Sequence, residues 1–368
     1  MTALMRTPRT LDLEITSRCN AACTYCYYLN NAGVTYADLP TERWLTFFAE
    51  LAAGAVLSVT LQGGEPLLRD DFFTLVDAVV ANRLRFSLLT NGTLLTPAVA
   101  GRLKATGRCD TVQVSLDGST AAVHERSRGP GSFPPALAAI RNLQAAGLPA
   151  TVRVTIHPGN LDDLAAVARL LLDELGLPAF SVNAAAALGS ADKYARGTLL
   201  TSLQRLQAMR ILAELEGRYP GRITAAAGPL AEWRMFGAME QARRDGVALA
   251  GRGRLAGCGC VFDKLAVRAD GCYVPCVMLP TMVLGEIGRD PLAKVWQQAE
   301  GLRGLRGRHG IPLTSFAECR DCPWIDGCTG SCPGSALALT GELDRPCPQA
   351  CLKRFVADLE AQGETLWP

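Results

Sequence analysis

Between Leu11 and Asn183, short β-rich apolar runs alternate six times with longer amphipathic stretches. Strand-then-helix alternation builds a parallel sheet whose strands are joined by right-handed crossover helices. The runs predict strands at Leu11–Thr16, Val56–Leu61, Arg85–Thr90, Thr111–Leu116, Thr151–Ile156 and Ala179–Asn183. Thr41–Ala53, Asp71–Ala81, Phe133–Ala146 and Leu161–Leu175 carry apolar residues at helical spacing and are each long enough to cross over. Six β/α units make an incomplete barrel, so the expected fold class is α/β, a partial (β/α)6 barrel of the TIM type. Ligands in such barrels sit at the C-terminal ends of the strands, and the polar motifs below all follow predicted strands.

Beyond Gly189 the strand alternation stops. Two helices, Leu199–Gly217 and Pro229–Gly246, lead to the run G-R-G-R-L-A-G and read as a bridge over residues 189–257. Then L-A-V-R-A-D-G-C-Y-V predicts two short strands about Asp270-Gly271, a dipeptide suited to tight hairpins. The rest, apart from a short helix near Pro291–Ala299 and a terminal helix after Cys351, is loop-rich with little apolar periodicity. The expected domains are therefore 1–188, 189–257 and 258–368. The last has too little core to hold itself unless bound metal supplies folding free energy.

The 14 cysteines are placed to do that. Met1–Thr10 lacks the apolar stretch of a secretory signal, which points to a cytoplasmic setting where clustered thiols act as metal ligands rather than disulfides. No apolar window reaches the roughly 18 residues of a membrane span. With 37 basic and 35 acidic residues, the net charge of +2 gives no electrostatic case for nucleic acid.

Cys19, Cys23 and Cys26 stand as C-x3-C-x2-C just after the first strand. One such loop ligates three irons of a four-iron cubane and leaves the fourth open, which marks a catalytic rather than a structural site. Cys19, Cys23, Tyr25 and Cys26 resemble the C-x3-C-x-aromatic-C signature of the radical S-adenosylmethionine (radical SAM) family. The resemblance implies that the open iron chelates SAM and that one electron cleaves it to a 5′-deoxyadenosyl radical. Gln62-Gly63-Gly64-Glu65-Pro66 follows about 36 residues beyond Cys26. In the family this motif receives the SAM methionine ammonium, a role carried to Gly63, Gly64 and Glu65. Asn91 ends the third strand. By the same resemblance Ser115 and Asp117 line the ribose and substrate side, and Arg128 meets the SAM carboxylate. Arg153 is a further charged residue expected to point into the barrel.

Cys109 reads as a buried strand-flanking thiol. The ten cysteines from Cys258 to Cys351 resemble a SPASM domain. That resemblance implies one auxiliary cluster from Cys258, Cys260, Cys276 and Cys332, and a second from Cys319, Cys322, Cys328 and either Cys347 or Cys351. Cys258 and Cys260 stand closer than the family pattern, Cys272 is extra, and the last position is doubled. The implied cofactors are three [4Fe–4S] clusters and SAM.

Family members of this type mostly modify peptides. The expected function is hydrogen abstraction from a ribosomally made precursor, giving an oxidative crosslink of cyclophane or thioether type. The alternatives are a formylglycine-generating sulfatase maturase and a small-molecule (sugar or aminocyclitol) dehydrogenase or epimerase. The first is weakened because Val277, not a carboxylate, follows Cys276. A flavodoxin or ferredoxin is the expected electron donor. The signature begins by residue 19, so leader recognition is expected from a separate protein or from the barrel and bridge surfaces. His124, His157 and His309 read as surface residues, and Trp233, Trp296 and Trp324 as packing.

Overall fold

A computed structural model of the chain describes residues 4–27, 36–188, 195–256 and 259–367. The six expected strands form as β1 (Thr10–Thr16), β2 (Ser58–Gly63), β3 (Arg85–Thr90), β4 (Cys109–Ser115), β5 (Ala150–Ile156) and β6 (Phe180–Ala184). Each pairs in parallel with the next. Helices α1 (Thr41–Ala53), α2 (Phe72–Ala81), α3 (Pro97–Ala105), α4 (Ala121–Arg128), α5 (Phe133–Ala145) and α6 (Leu164–Arg169) lie in the connections. In α1, Trp44, Phe47, Phe48 and Leu51 fall on one face and are buried, each worth roughly 1.5–3 kcal/mol of burial. Leu11, Leu13 and Ile15 on β1, Val59 and Leu61 on β2, and Val152 and Val154 on β5 complete this core. Strand alternation then turns the intervening residues toward the barrel interior.

Two local differences matter for the site. Val56 and Leu57 read as strand, but Ala55 takes a left-handed turn at φ 58° and Leu57 is 58% exposed. The strand therefore starts at Ser58 and runs to Gly63, so Gln62 and Gly63 lie inside β2 instead of following it. The stretch 161–175 is a 3-10 turn, α6 and a π-turn at Leu170–Glu174. The wider turn buries three consecutive leucines, Leu170, Leu171 and Leu172, which a regular helical face would not.

The sheet extends beyond six strands. β7 (Ile223–Thr224), between the bridge helices Ser202–Arg218 and Pro229–Arg244, adds in parallel to β6. β8 (Lys264–Val267) adds in parallel to β1, and β9 (Cys272–Val274) and β10 (Gly285–Glu286) continue antiparallel. The expected hairpin at Asp270-Gly271 is thus annealed to the barrel edge. Tyr273 packs on Phe47 with ring centroids 5.8 Å apart, and Trp296 is wholly buried in the same core. A second core joins Leu206 and Met209 of one bridge helix, Phe236 and Met239 of the other, and Leu352, Phe355 and Leu359 of the terminal helix Leu352–Glu360. The cysteine-rich segment is held at both ends by apolar packing, at the barrel edge and on the bridge.

Candidate active site

The three N-terminal cysteines leave the C-terminal end of β1 on a loop tied down from several sides. Asp38 accepts from the Ser17 amide at 2.9 Å and the Thr16 hydroxyl at 2.7 Å. The Thr24 amide donates to the Ser127 carbonyl, 2.9 Å away. The Gly64 and Glu65 amides donate to the Thr16 and Arg18 carbonyls, both at 2.8 Å. Gly63 takes φ +133°, and a Cβ at Gly64 would stand 2.0 Å from the Arg18 carbonyl oxygen. The glycines are required because β2 lies directly against the cysteine loop. Replacing Gly64 with Ala is therefore expected to cost about 1–3 kcal/mol of stability and to weaken SAM binding ~10-fold or more. Urea unfolding and equilibrium dialysis with SAM would check both.

Glu65 follows the end of β2 by two residues. It is fully buried, and its carboxylate accepts from the Thr90 hydroxyl at 2.8 Å and from the Asn91 and Leu67 amides at 2.7 and 3.2 Å. Burial pushes its pKa up against these donors. Through these bonds it ties β2 to the end of β3. Asn91, so held, bonds Asn20 at 2.8 Å and faces the Cys19 thiol. Asn20 was not singled out from sequence, although it directly follows Cys19.

A second assembly lies under Tyr25. Asp117, fully buried, accepts from the Tyr25 hydroxyl, from Arg128 Nε at 2.5 Å and from the Thr155 amide at 2.8 Å. Burial opposes its ionisation, but Arg128 and these hydrogen bonds prevail and hold the carboxyl below its usual range. Arg128 also lies 5.5 Å from the Tyr25 ring centre. Asp117 thus bonds both Arg128 and Tyr25, while Ser115 ends β4.

The histidine expectation fails for two of three: His124 and His157 are 1% and 5% exposed, while His309 is exposed. His124 Nδ1 accepts from the Asp117 amide at 3.1 Å, and burial, then Arg128, lowers its pKa to about 4. His157 packs 5.4 Å from Tyr25. The turn His157–Asn160 is capped by Asn160, which also donates to the Asp117 and Thr155 carbonyls at 2.9 Å each. Sequence offered only H-P-G-N after a strand, a turn signal with no sign of burial.

In the C-terminal segment the thiols fall into two groups. Cys319, Cys322, Cys328 and Cys351 interact electrostatically with one another and line one cavity. Cys276 faces Cys332 and Cys260. Cys347 touches the wall of the first group's cavity, but the thiol it faces is Cys332. Cys258 lies outside the described residues. Cys109, half-buried at the start of β4, and Cys272 join neither group.

Residues 13–171 match the radical SAM superfamily, and residues 258–323 match SPASM, an iron–sulfur cluster-binding domain. The PqqA peptide cyclase of Ruegeria pomeroyi is 31% identical over 339 residues, 91% of this chain and 85% of its own. The chain belongs to the radical SAM family. The AdoMet-dependent heme synthase of Methanosarcina barkeri is 30% identical over 93% of this chain and 96% of its own. Among solved structures, Streptococcus suis SuiB bound to precursor peptide SuiA shares the fold at TM-score 0.73 and 15% identity, over 95% of this chain and 77% of that one.

The residues of this radical SAM enzyme suit SAM and iron–sulfur clusters. Burial, the largest cause, pushes the Cys23 thiol up to about 11, Cys319 to about 11 and Cys276 to about 12, with neighbouring thiols adding to it. Buried thiols that repel one another as thiolates call for a cationic centre between them. Among the described residues no three such groups meet around a single-ion position. Around the mouth, Gln62 Nε2 and His157 Nε2 are buried without a hydrogen-bond partner, as polar groups awaiting a ligand are.

Proposed function

We propose that this radical SAM enzyme matures a ribosomally made precursor peptide, abstracting a hydrogen and closing an oxidative crosslink of cyclophane or thioether type. The observation that carries the reading is the end-to-end similarity to a peptide cyclase, spanning barrel, bridge and cysteine-rich segment together. Bound at Cys19, Cys23 and Cys26, the cluster and SAM supply a hydrogen-abstracting carbon radical. Gly63 and Gly64 set the loop against β2, Asn91 and Ser115 stand at neighbouring strand ends, and the Tyr25–Asp117–Arg128 assembly holds the loop from below. Asp117 and Glu65 act as positioning residues, and Arg128 keeps its terminal nitrogens for the SAM carboxylate.

Three [4Fe–4S] clusters fit the thiol groups. Cys351, rather than Cys347, completes the cluster of Cys319, Cys322 and Cys328. Cys258, Cys260, Cys276 and Cys332 hold the other, and Cys347 faces Cys332 without serving as a ligand. Replacing Cys351 with Ser is expected to remove about four irons per chain, while Cys347→Ser removes fewer. Iron and sulfide counting with Mössbauer spectroscopy separates the two. Equal losses would return the ligand choice to open.

The donor is proposed to be a flavodoxin or ferredoxin, the leader-recognition element a separate protein or the barrel and bridge surfaces, and the compartment the cytoplasm. No helix among the described residues is long and apolar enough to cross a membrane. A second reading, small-molecule chemistry on a tetrapyrrole, is favoured by the heme-synthase relative. Incubation with SAM, reductant and any short peptide encoded near the gene decides: a peptide mass loss of two hydrogens supports maturation, and an unchanged peptide favours the second reading.

A further inference from the structure

Among the described residues each thiol group has a basic side chain facing it, and the three differ in what neutralises that charge. Arg128 faces Cys23, and the wholly buried Asp117 is bonded to it. Lys353 faces Cys322 from an exposed position, while Glu318 faces Cys319. Arg308 faces Cys332, and its side chain is 0% exposed. It opens the 3-10 turn Arg308–Gly310 that follows the helix Glu300–Gly307. Its Nη1 donates to the Ala256 carbonyl at 2.8 Å, its Nη2 to the Arg345 carbonyl at 3.4 Å and its Nε to the Asp344 carboxylate at 3.1 Å. Asp344 is 58% exposed, and among the described residues no other carboxylate pairs with Arg308.

A guanidinium cannot discharge in a protein, and burying one is costly unless an anion stands beside it. Burial pushes the Arg308 pKa down, and Asp344 and Cys332 oppose this. Asp344 neutralises it only in part, because a carboxylate so open to water is screened by solvent and salt. The two carbonyls need only neutral donors, so they do not explain the charge. Cys260, Cys276 and Cys332 meet at this place. A four-iron cluster held by thiolates is an anion that becomes more negative on reduction, and its potential follows the charges around it. A buried cation at its edge favours the reduced form. Arg128 loses that effect to Asp117, and Lys353 loses it to water. Among the described residues, this thiol group alone keeps a buried positive charge without a buried counter-charge.

We propose that Arg308 is the counter-charge of the auxiliary cluster at Cys276 and Cys332 and raises its reduction potential, making it the stronger electron acceptor of the two auxiliary clusters. The proposal rests on the reading that Cys332 holds this cluster, and it names the residue that tunes it. Arg308 is a positioning residue: it acts on the cluster's charge balance and touches no substrate.

The test is a redox titration of the anaerobically reconstituted full chain, followed by electron paramagnetic resonance. Replacing Cys19, Cys23 and Cys26 with Ala removes the first cluster's signal, and the signal that still persists when Cys351→Ser is added belongs to this cluster. Arg308→Gln is expected to make its reduction ~10-fold less favourable, a fall of ~59 mV for one electron, with the other auxiliary step unmoved. Arg308→Lys, which keeps the charge and loses the planar fork, should retain most of the potential. A loaded Arg308→Gln chain with an unmoved midpoint, or equal falls in the Gln and Lys variants, overturns the proposal. If Arg308→Gln fails to load iron, Asp344→Asn decides. That change leaves Arg308 without its partial counter-charge, so the midpoint should rise, and an unchanged or lower midpoint overturns the proposal. Failure of the ligand reading looks different. Cys332→Ser with its full iron would overturn the cluster assignment itself, whereas an unmoved midpoint in loaded Arg308→Gln overturns only the part played by Arg308.

Discussion

Replacing Cys19, Cys23 and Cys26 together with Ala abolishes 5′-deoxyadenosine formation from SAM and lowers iron by about four atoms, leaving about eight per chain. The effect is total because these thiols leave the end of β1 on one loop, with Asn91 facing Cys19 and Arg128 facing Cys23. No other described cysteine belongs to this group. The fold itself survives, since the loop's anchors are backbone bonds to Thr16, Arg18 and Ser127 and the Asp38 carboxylate, none of which involves sulfur. Circular dichroism unchanged, with about eight irons retained, separates lost chemistry from lost structure. A triple variant that still makes 5′-deoxyadenosine would remove the radical site from this loop.

The largest stability effect is expected at Asp117. Asp117→Ala leaves Arg128, whose side chain is 10% exposed, without its counter-charge and frees the Tyr25 hydroxyl and Thr155 amide. Removing one partner of a buried pair costs about 3–5 kcal/mol, read as a lower urea midpoint. The pH dependence has a definite sign. A carboxyl held below its usual range contributes stability that is present above its unfolded pKa of about 3.9 and lost as pH falls below that through the folded value. The unaltered enzyme should therefore lose stability on that acid limb, and Asp117→Ala should lack this component. A double replacement, Asp117→Leu with Arg128→Met, should recover much of the stability by removing both charges. It should not recover SAM binding.

Legibility in the sequence followed the length of each pattern. β3 was read with its bounds intact because R-F-S-L-L-T is bounded on both sides by turn residues. β7 and β10, of two residues each, are too short to carry a period, and the pairing of the expected hairpin strand β8 with β1 has no local signal in sequence. The two auxiliary groups came from the SPASM resemblance, and among the described residues Cys319, Cys322, Cys328 and Cys351 lie together, as do Cys260, Cys276 and Cys332. The choice between Cys347 and Cys351 was not readable, since both follow the same loop and only packing turns Cys347 toward Cys332. Motif residues were found more reliably than their duties. Glu65 sits in the expected motif, and its bonds to Thr90 and Asn91 at the end of β3 were not readable from it. His157 shows in sequence only as a polar residue after an apolar run, because burial depends on which neighbours close over it.

The central claim is a three-cluster enzyme that oxidises a peptide. It is tested most directly by anaerobic reconstitution, iron and sulfide counting, and incubation with SAM, dithionite and any short peptide encoded near the gene, read by mass spectrometry. The account predicts about twelve irons per chain, 5′-deoxyadenosine, and a peptide lighter by two hydrogens. About eight irons, or 5′-deoxyadenosine with the peptide unchanged, would contradict it.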